Sequence, residues 1–149
     1  MIQIIRTTSS NGDFLLLVKE LDQFLAILDG DDHAFYAQFN KPDALRQAVV
    51  AYEGTTPVGC GAFKEMDATT VEVKRMYVIE SSRNQGIATK VLVELEDWAS
   101  ELGYTRCILE TGIRQPDAIA LYKKNGYRQI ENFGQYAGVN TSVCFEKDL

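Results

Sequence analysis

Hydrophobic and polar positions along the chain follow two distinct periods. Ile2 to Arg6 is a short β-prone start, and the polar stretch Thr7 to Asp13 connects it to a run with helical spacing. In that run, about Phe14 to Leu28, the positions Leu17, Leu21, Phe24, Leu25 and Leu28 predict one buried helical face, stopped by Gly30. Asp31 to Asn40 mixes His33, Phe35, Tyr36, Gln38 and Phe39 without a clean period, and reads as a second helix or as a packed loop. Ala48–Tyr52, Pro57–Lys64 and Thr70–Ile79 then read as three strands joined by short turns at Glu53-Gly54 and Met66–Ala68, an antiparallel meander. From Gly86 to Leu102, the residues Ile87, Val91, Leu92, Leu95, Trp98, Ala99 and Leu102 make the strongest helical stripe, with Gly103 at the position of a left-handed cap. Arg106–Thr111 predicts a strand, and Pro116 opens a helix to about Asn125 that Gly126 ends. Tyr127–Ile130 and Ser142–Lys147 predict closing strands. The order is mixed α/β, in one continuous domain without repeats or a Pro/Gly/Ser linker.

Composition narrows the classes. With 149 residues, 46% of them hydrophobic, the chain is long enough for a single buried core. A formal net charge of −6 disfavours broad nucleic-acid binding. Cys60, Cys107 and Cys144 lie in apolar or β-prone stretches without CxxC spacing and read as buried thiols in a reducing compartment. No stretch approaches the roughly twenty apolar residues of a membrane span, and the expected location is the cytoplasm.

Arg83-Asn84-Gln85-Gly86-Ile87-Ala88 lies between the longest predicted strand and the strongest helix. A strand that opens directly into a helix presents unpaired N–H groups at the positive end of the helix dipole, which suits an anion. Gly86 removes the Cβ that would block close approach, and Ala88 keeps the first turn thin. An ordinary strand-to-helix turn is the competing reading of the hexapeptide. Neither GxGxxG nor GxxxxGK[ST] occurs, which argues against a dinucleotide fold or a P-loop.

With Arg83, Gly86 and Ala88 in the pattern Arg/Gln-x-x-Gly-x-Gly/Ala, the chain resembles the GNAT superfamily of N-acetyltransferases. The resemblance extends to Lys74-Arg75-Met76-Tyr77-Val78, similar to the family's fourth strand, and to Ala120-Leu121-Tyr122-Lys123-Lys124-Asn125-Gly126-Tyr127, similar to its last helix and exit. It covers about Ala48 to the end. Asn84 stands where a second glycine is common, and Gln115-Pro116 where many members place asparagine. The fold so implied is a mixed, mostly antiparallel central sheet flanked by helices and splayed between its fourth and fifth strands. The implied activity is acetyl transfer from acetyl-CoA, without a metal, to a primary amine by direct attack. A non-catalytic acyl-CoA-binding or sensing module is the alternative, and a nucleotide-phosphate site at Gly86 a weaker third.

The resemblance implies that main-chain groups at Met76, Tyr77 and Val78 hold the thioester and pantetheine amides, and that Arg83, Gln85, Gly86, Ile87 and Ala88 cradle the pyrophosphate. It casts Tyr122 as the acid that protonates the departing sulfur, with a half-buried structural tyrosine as the plain alternative. Glu72 is the candidate general base, since alternation puts Glu72, Lys74, Met76 and Val78 on one face, against a solvated strand glutamate. The knot Asp29, Asp31, Asp32 and His33 lacks a metal-ligand pattern. Asp31, Asp32, Phe35 and Tyr36 either receive a cationic amine or anchor their segment on the sheet. The acceptor amine stays unidentified, and a homodimer is the assembly the resemblance suggests.

Overall fold

The computed structural model describes residues 1–38 and 45–149. Phe39 and Asn40, at the end of the ambiguous segment, lie outside the described residues. A seven-stranded sheet forms the middle of the molecule, built from β1 (Ile2–Thr7), β2 (Gln47–Glu53), β3 (Thr56–Glu65), β4 (Thr70–Val78), β5 (Arg106–Gly112), β6 (Arg128–Ile130) and β7 (Ser142–Asp148). Its spatial order is β1-β2-β3-β4-β5-β7-β6, and all neighbours run antiparallel except β4 and β5. The helices are α1 (Gly12–Asp29), α2 (His33–Ala37), α3 (Ile87–Glu101) and α4 (Pro116–Lys124). The mixed, mostly antiparallel architecture agrees with the expectation. No helix among the described residues is long and apolar enough to cross a membrane.

Local chemistry explains the helix limits. Asn11 caps α1 by accepting from the N–H groups of Asp13 and Phe14 at 2.9 and 3.0 Å, so the helix starts two residues before the first apolar position. Phe14 and Leu17 are buried against β2 and β3 together with Ala48, Val50, Cys60 and Ala62. Phe24 is 37% exposed, which departs from the single buried stripe expected of α1, because the last turns of the helix line a cleft. The ambiguous segment after Gly30 forms a single 3-10 turn and then the short α2.

On the opposite face α3 buries Ile87, Val91, Leu92, Leu95 and Ala99. Leu102 lies beyond the end of the helix and is exposed, unlike the rest of its predicted stripe. Tyr122 of α4 packs on the same face, its ring 5.7 Å from Tyr127 and 6.2 Å from Phe145. Glu96 would be costly to bury alone. It accepts from Tyr127 Oη at 2.8 Å and from Lys147 Nζ at 2.9 Å, which ties α3 to the closing strands.

The feature that shapes the site is a bulge in β4. Cys60 pairs with Tyr77 and Ala62 with Lys74, so Arg75 and Met76 together stand opposite Gly61 alone. Arg75 takes φ 61°, a left-handed conformation rare for a residue with a long side chain. The expected single face of Glu72, Lys74, Met76 and Val78 is therefore corrected: the extra residue reverses the alternation. Glu72, Lys74 and Tyr77 lie on the α1 face, whereas Met76 and Val78 pack toward α3.

Gly61 is required at the bulge by close approach. A Cβ there would sit 2.5 Å from Met76 Sδ and 2.9 Å from both Val91 Cγ1 and Leu95 Cδ1. Gly61→Ala is expected to destabilise the fold by about 1–3 kcal/mol through overpacking, read as a fall of several degrees in melting temperature. An unchanged melting temperature would show that β4 yields at the bulge.

Candidate active site

β4 and β5 are bonded only where Thr70, Val71 and Glu72 meet Arg106, Cys107 and Ile108. Beyond Glu72 the strands separate, as expected, leaving the β5-facing edge of β4 open. The carboxyl ends of diverging parallel strands are where sheets of this kind receive ligands. Here the gap is one cleft of about 740 Å³, walled by β4, β5, the start of α3, the whole of α4 and the last turns of α1.

One end of the cleft is built for an anion. Asn84 and Gly86 both have positive φ, 64° and 78°, so the chain turns sharply into α3. Asn84 thus supplies the left-handed backbone that a glycine would, and asparagine tolerates it better than most residues. Gly86 is the N-cap and no side chain caps the helix, so the first-turn N–H groups face the opening. Arg83, Gly86, Ile87 and Ala88 line the cleft. Gln85 is exposed, at the turn between Asn84 and Gly86, and does not line the cleft. The Ile87 side chain is core, so only its main chain faces a ligand. Arg83 folds back: its Nε donates to Val78 O at 2.9 Å, and its guanidinium lies 5.6 Å from the Phe24 ring and 5.7 Å from the Tyr77 ring. It occupies one of the main-chain acceptors that the open strand offers. Met76, Tyr77 and Val78 all line the cleft.

Tyr122 forms part of the wall between the two ends. It is 5% exposed, and its hydroxyl makes no hydrogen bond with any described residue. Burial, and secondarily the Glu110 charge, push its pKa far above the ordinary tyrosine value, so it keeps its proton throughout the physiological range. Gln115 and Pro116, at the start of α4, line the cleft as well.

Carboxyl groups gather at the far end. Glu72 is 3% exposed, lines the cleft and takes no hydrogen bond from any described residue. Burial raises its pKa, offset in part by Lys74 and Lys64. This is a buried carboxyl, not the solvated strand glutamate of the alternative reading. Glu110 of β5 escaped the sequence reading. Its Oε2 is sealed from solvent and is the one buried side-chain polar atom among the described residues without a partner. Burial, with the charges of Glu72 and Asp29, pushes its pKa up to about 7. The signal was present as a lone carboxylate within Cys107-Ile108-Leu109-Glu110-Thr111, the only charged side chain of that stretch.

The expected acidic rim is only partly present. Tyr36 lines the cleft, but Asp31, Asp32 and Phe35 do not; Asp32 instead accepts from Arg114 at 2.7 Å, and Phe35 stacks edge-on against Tyr36. Asp29 lines the cleft in their place. It shares with Asp22, His33 and Tyr36 a small adjoining cavity of about 180 Å³. Cys60, Cys107 and Cys144 are free, buried thiols, each raised in pKa by burial, so none is a ready thiolate nucleophile.

Comparison with known proteins agrees with this geometry. Residues 16–127 match the model of the acetyltransferase (GNAT) family. The chain belongs to that family. It is an acetyl-CoA-dependent acyltransferase. It is 34% identical to an IAA acetyltransferase of Azospirillum brasilense over 152 aligned positions, which span 99% of this chain and 98% of the relative. The N-acetyltransferase YsnE of Bacillus subtilis shares 37% identity over 101 residues, 66% of this chain and 67% of that protein. Among solved structures, an acyl-CoA N-acyltransferase of Klebsiella pneumoniae superposes with TM-score 0.84 at 30% identity, over 100% of this chain and 98% of the other. The Thermoplasma acidophilum PaiA N-acetyltransferase, solved with coenzyme A, shares the fold with TM-score 0.73 at 16% identity, covering 100% and 99%.

Glu110 gives the site a measurable pH signature. Between the ordinary glutamate value of 4.5 and about 7, the folded enzyme holds a proton that the unfolded chain has released. Stability therefore falls as pH rises through that window. Glu110→Gln is expected to match wild type in stability to unfolding near pH 4.5 and to exceed it by roughly 3 kcal/mol near pH 8. Parallel pH curves for the two proteins would mean that Glu110 ionises normally.

Proposed function

We propose that the enzyme transfers the acetyl group of acetyl-CoA to a primary amine by direct attack within a ternary complex. One observation carries the reading: a single cleft joins an uncapped helix terminus and an open strand edge to a buried carboxyl and, in its wall, a tyrosine hydroxyl, neither of them hydrogen-bonded to any described residue.

In this reading the N–H groups at Gly86, Ile87 and Ala88 bind the pyrophosphate through the helix dipole. Arg83 leaves Val78 O to pair with phosphate, freeing that carbonyl for a pantetheine amide. Main-chain groups of Met76 and Tyr77 extend the sheet onto the pantetheine arm, and an N–H aimed at the thioester oxygen stabilises the oxyanion. The acceptor enters at the carboxyl end. An alkylammonium with pKa near 10.4 costs roughly 4–5 kcal/mol to deprotonate at neutral pH, and Glu72, its own proton affinity raised by burial, takes that proton directly or through water. The free amine attacks the thioester carbon, the C–N bond forms, and the C–S bond breaks. Tyr122 gives its proton to the departing sulfur, and the second proton that the attacking nitrogen loses as the amide forms restores the phenol. A thiolate in a dry site is more basic than one in water, which matches a phenol whose pKa burial has also raised.

The test is release of CoA thiol across a panel of primary amines, with wild type, Tyr122→Phe and Glu72→Gln. Tyr122→Phe is expected to lower turnover about 10²-fold with acetyl-CoA affinity and melting temperature unchanged, since only one oxygen is removed. An acetyl thioester with a more acidic thiol should recover part of that loss. Glu72→Gln is expected to cost roughly 10²- to 10⁴-fold and to alter the acidic limb of the pH profile. A variant that binds acetyl-CoA and turns over at the wild-type rate removes the role assigned to its residue. Binding of acetyl-CoA with no thiol release toward any amine would favour a sensing module.

A further inference from the structure

The small cavity of about 180 Å³ beside the carboxyl end of the cleft is lined by Asp22, Leu25, Asp29, His33, Tyr36 and Ala37. Asp29 and Tyr36 line the cleft too, so an occupant of the cavity lies next to the acceptor. Asp29 is 8% exposed, yet its carboxylate accepts no hydrogen bond from any described residue. Its ion pair with Arg114 Nη1 spans 3.9 Å, beyond hydrogen-bonding distance. The same guanidinium is engaged elsewhere, since Arg114 Nη2 donates to Asp32 at 2.7 Å. Asp22, the other carboxylate of the cavity, has Arg75 Nη1 at 3.3 Å. A carboxylate buried as deeply as Asp29 ordinarily accepts hydrogen bonds. Glu72, at 3% exposed and lining the adjoining cleft, stands in the same position, with no donor among the described residues.

Resting on the reading above, we propose that the acceptor is a small diamine: one amine reacts beside Glu72 while the other, protonated, sits in the side cavity against Asp29. A single ammonium at Glu72 leaves Asp29 without a donor, and a second brings up to three N–H donors to it. The second ammonium keeps its protons and takes no part in bond making; the acetyl group moves to the first nitrogen alone.

The rest of the cavity wall suits that group. Tyr36 Oη lies 2.6 Å from Thr141 Oγ1 and 2.8 Å from Ser142 Oγ, so the hydroxyl is engaged on β7 and its neighbour, and the ring is what the cavity receives. An aromatic ring beside a carboxylate attracts an alkylammonium. Leu25 and Ala37 give apolar surface for methylene groups. The sign of the charge is decided by which side chains reach the cavity: Lys74, Arg75 and Arg114 line the cleft, but none of them lines the cavity, whereas Asp22 and Asp29 both do. A cavity of this size holds a group of about six heavy atoms, enough for an aminoalkyl end and too little for a peptide. Asp29 is on this account a specificity-determining residue, distinct from the residues that move protons.

The experiment measures kcat/KM by CoA thiol release at saturating acetyl-CoA for three series of equal chain lengths: straight-chain diamines from propanediamine to hexanediamine, the corresponding monoamines, and aminoalkanoates that carry a carboxylate in place of the second amine. Wild type is expected to favour one diamine length over its monoamine by roughly 10- to 100-fold, the worth of one hydrogen bond to a buried charge. The gain should fall on KM and not on kcat, and aminoalkanoates should do no better than monoamines. Asp29→Asn, which removes the charge, and Ala37→Leu, which fills the cavity, are each expected to erase the diamine preference; melting temperatures show that the variants fold. Monoamines turned over as well as every diamine would overturn the second subsite and leave amine acetylation standing. An undiminished preference in either folded variant, or a preference for aminoalkanoates, would overturn it equally. Wild type that releases no thiol with any amine overturns both proposals.

Discussion

The extra residue in β4 is the constraint on which the site depends. A regular strand would have carried Glu72 and Met76 on one face and offered β5 an unbroken edge. With Arg75 at φ 61° opposite Gly61, the strand bends and its alternation reverses. Pairing with β5 stops after three residues, and the cleft opens there. Holding arginine in that conformation carries a cost of order 1–3 kcal/mol. The surroundings fix it: the guanidinium, almost wholly buried, lies 3.3 Å from Asp22 of α1, and the Arg75 carbonyl accepts from Cys60 Sγ. Strain, splay and the position of α1 over the site are one linked arrangement.

That linkage explains why the two ends of the cleft differ. Main-chain groups dominate the end next to α3, where an open strand edge and an uncapped helix terminus provide partial charges that cannot titrate. Side-chain carboxyls dominate the end next to α1 and α2, where the sheet face turned toward α1 carries Glu72 and Glu110. A chain of net charge −6 repels a polyanionic cofactor at long range. In the proposed function, fixed backbone dipoles and Arg83 supply the attraction locally, with the carboxyls kept at the far end of the cleft. In that reading the same separation leaves the carboxyls to a cationic acceptor.

The periods in the sequence carried most of the fold. All seven strands and three of the helices stand close to where apolar spacing, Gly30, Gly103 and Pro116 put them, because each depends on local chemistry. The anion end was legible for the same reason: strand, turn and helix are consecutive, and Gly86 lies at the junction. The carboxyl end was only half legible. Glu72 was visible, but its neighbours were assigned by a strict alternation that one bulged residue breaks, and no local signal in Lys74-Arg75-Met76 announces the bulge. Its determinant is a non-local contact, Gly61 against Met76 and α3. Asp29 was grouped with Asp31 and Asp32, although helical geometry turns only the first toward the cleft and Arg114 engages Asp32. Glu110 stood out by type alone; its unpaired oxygen depends on residues from three separate segments.

Tyr122 and Glu110 are also electrically joined. An ionised Glu110 raises the proton affinity of Tyr122, and a neutral Glu110 relaxes it. The coupling needs no motion of the backbone, only two titratable groups that share a low-dielectric cleft across the point where β4 and β5 part. Separating the strands therefore does more than admit substrate: it brings a carboxyl on one face of the sheet within electrostatic reach of a phenol packed on the other.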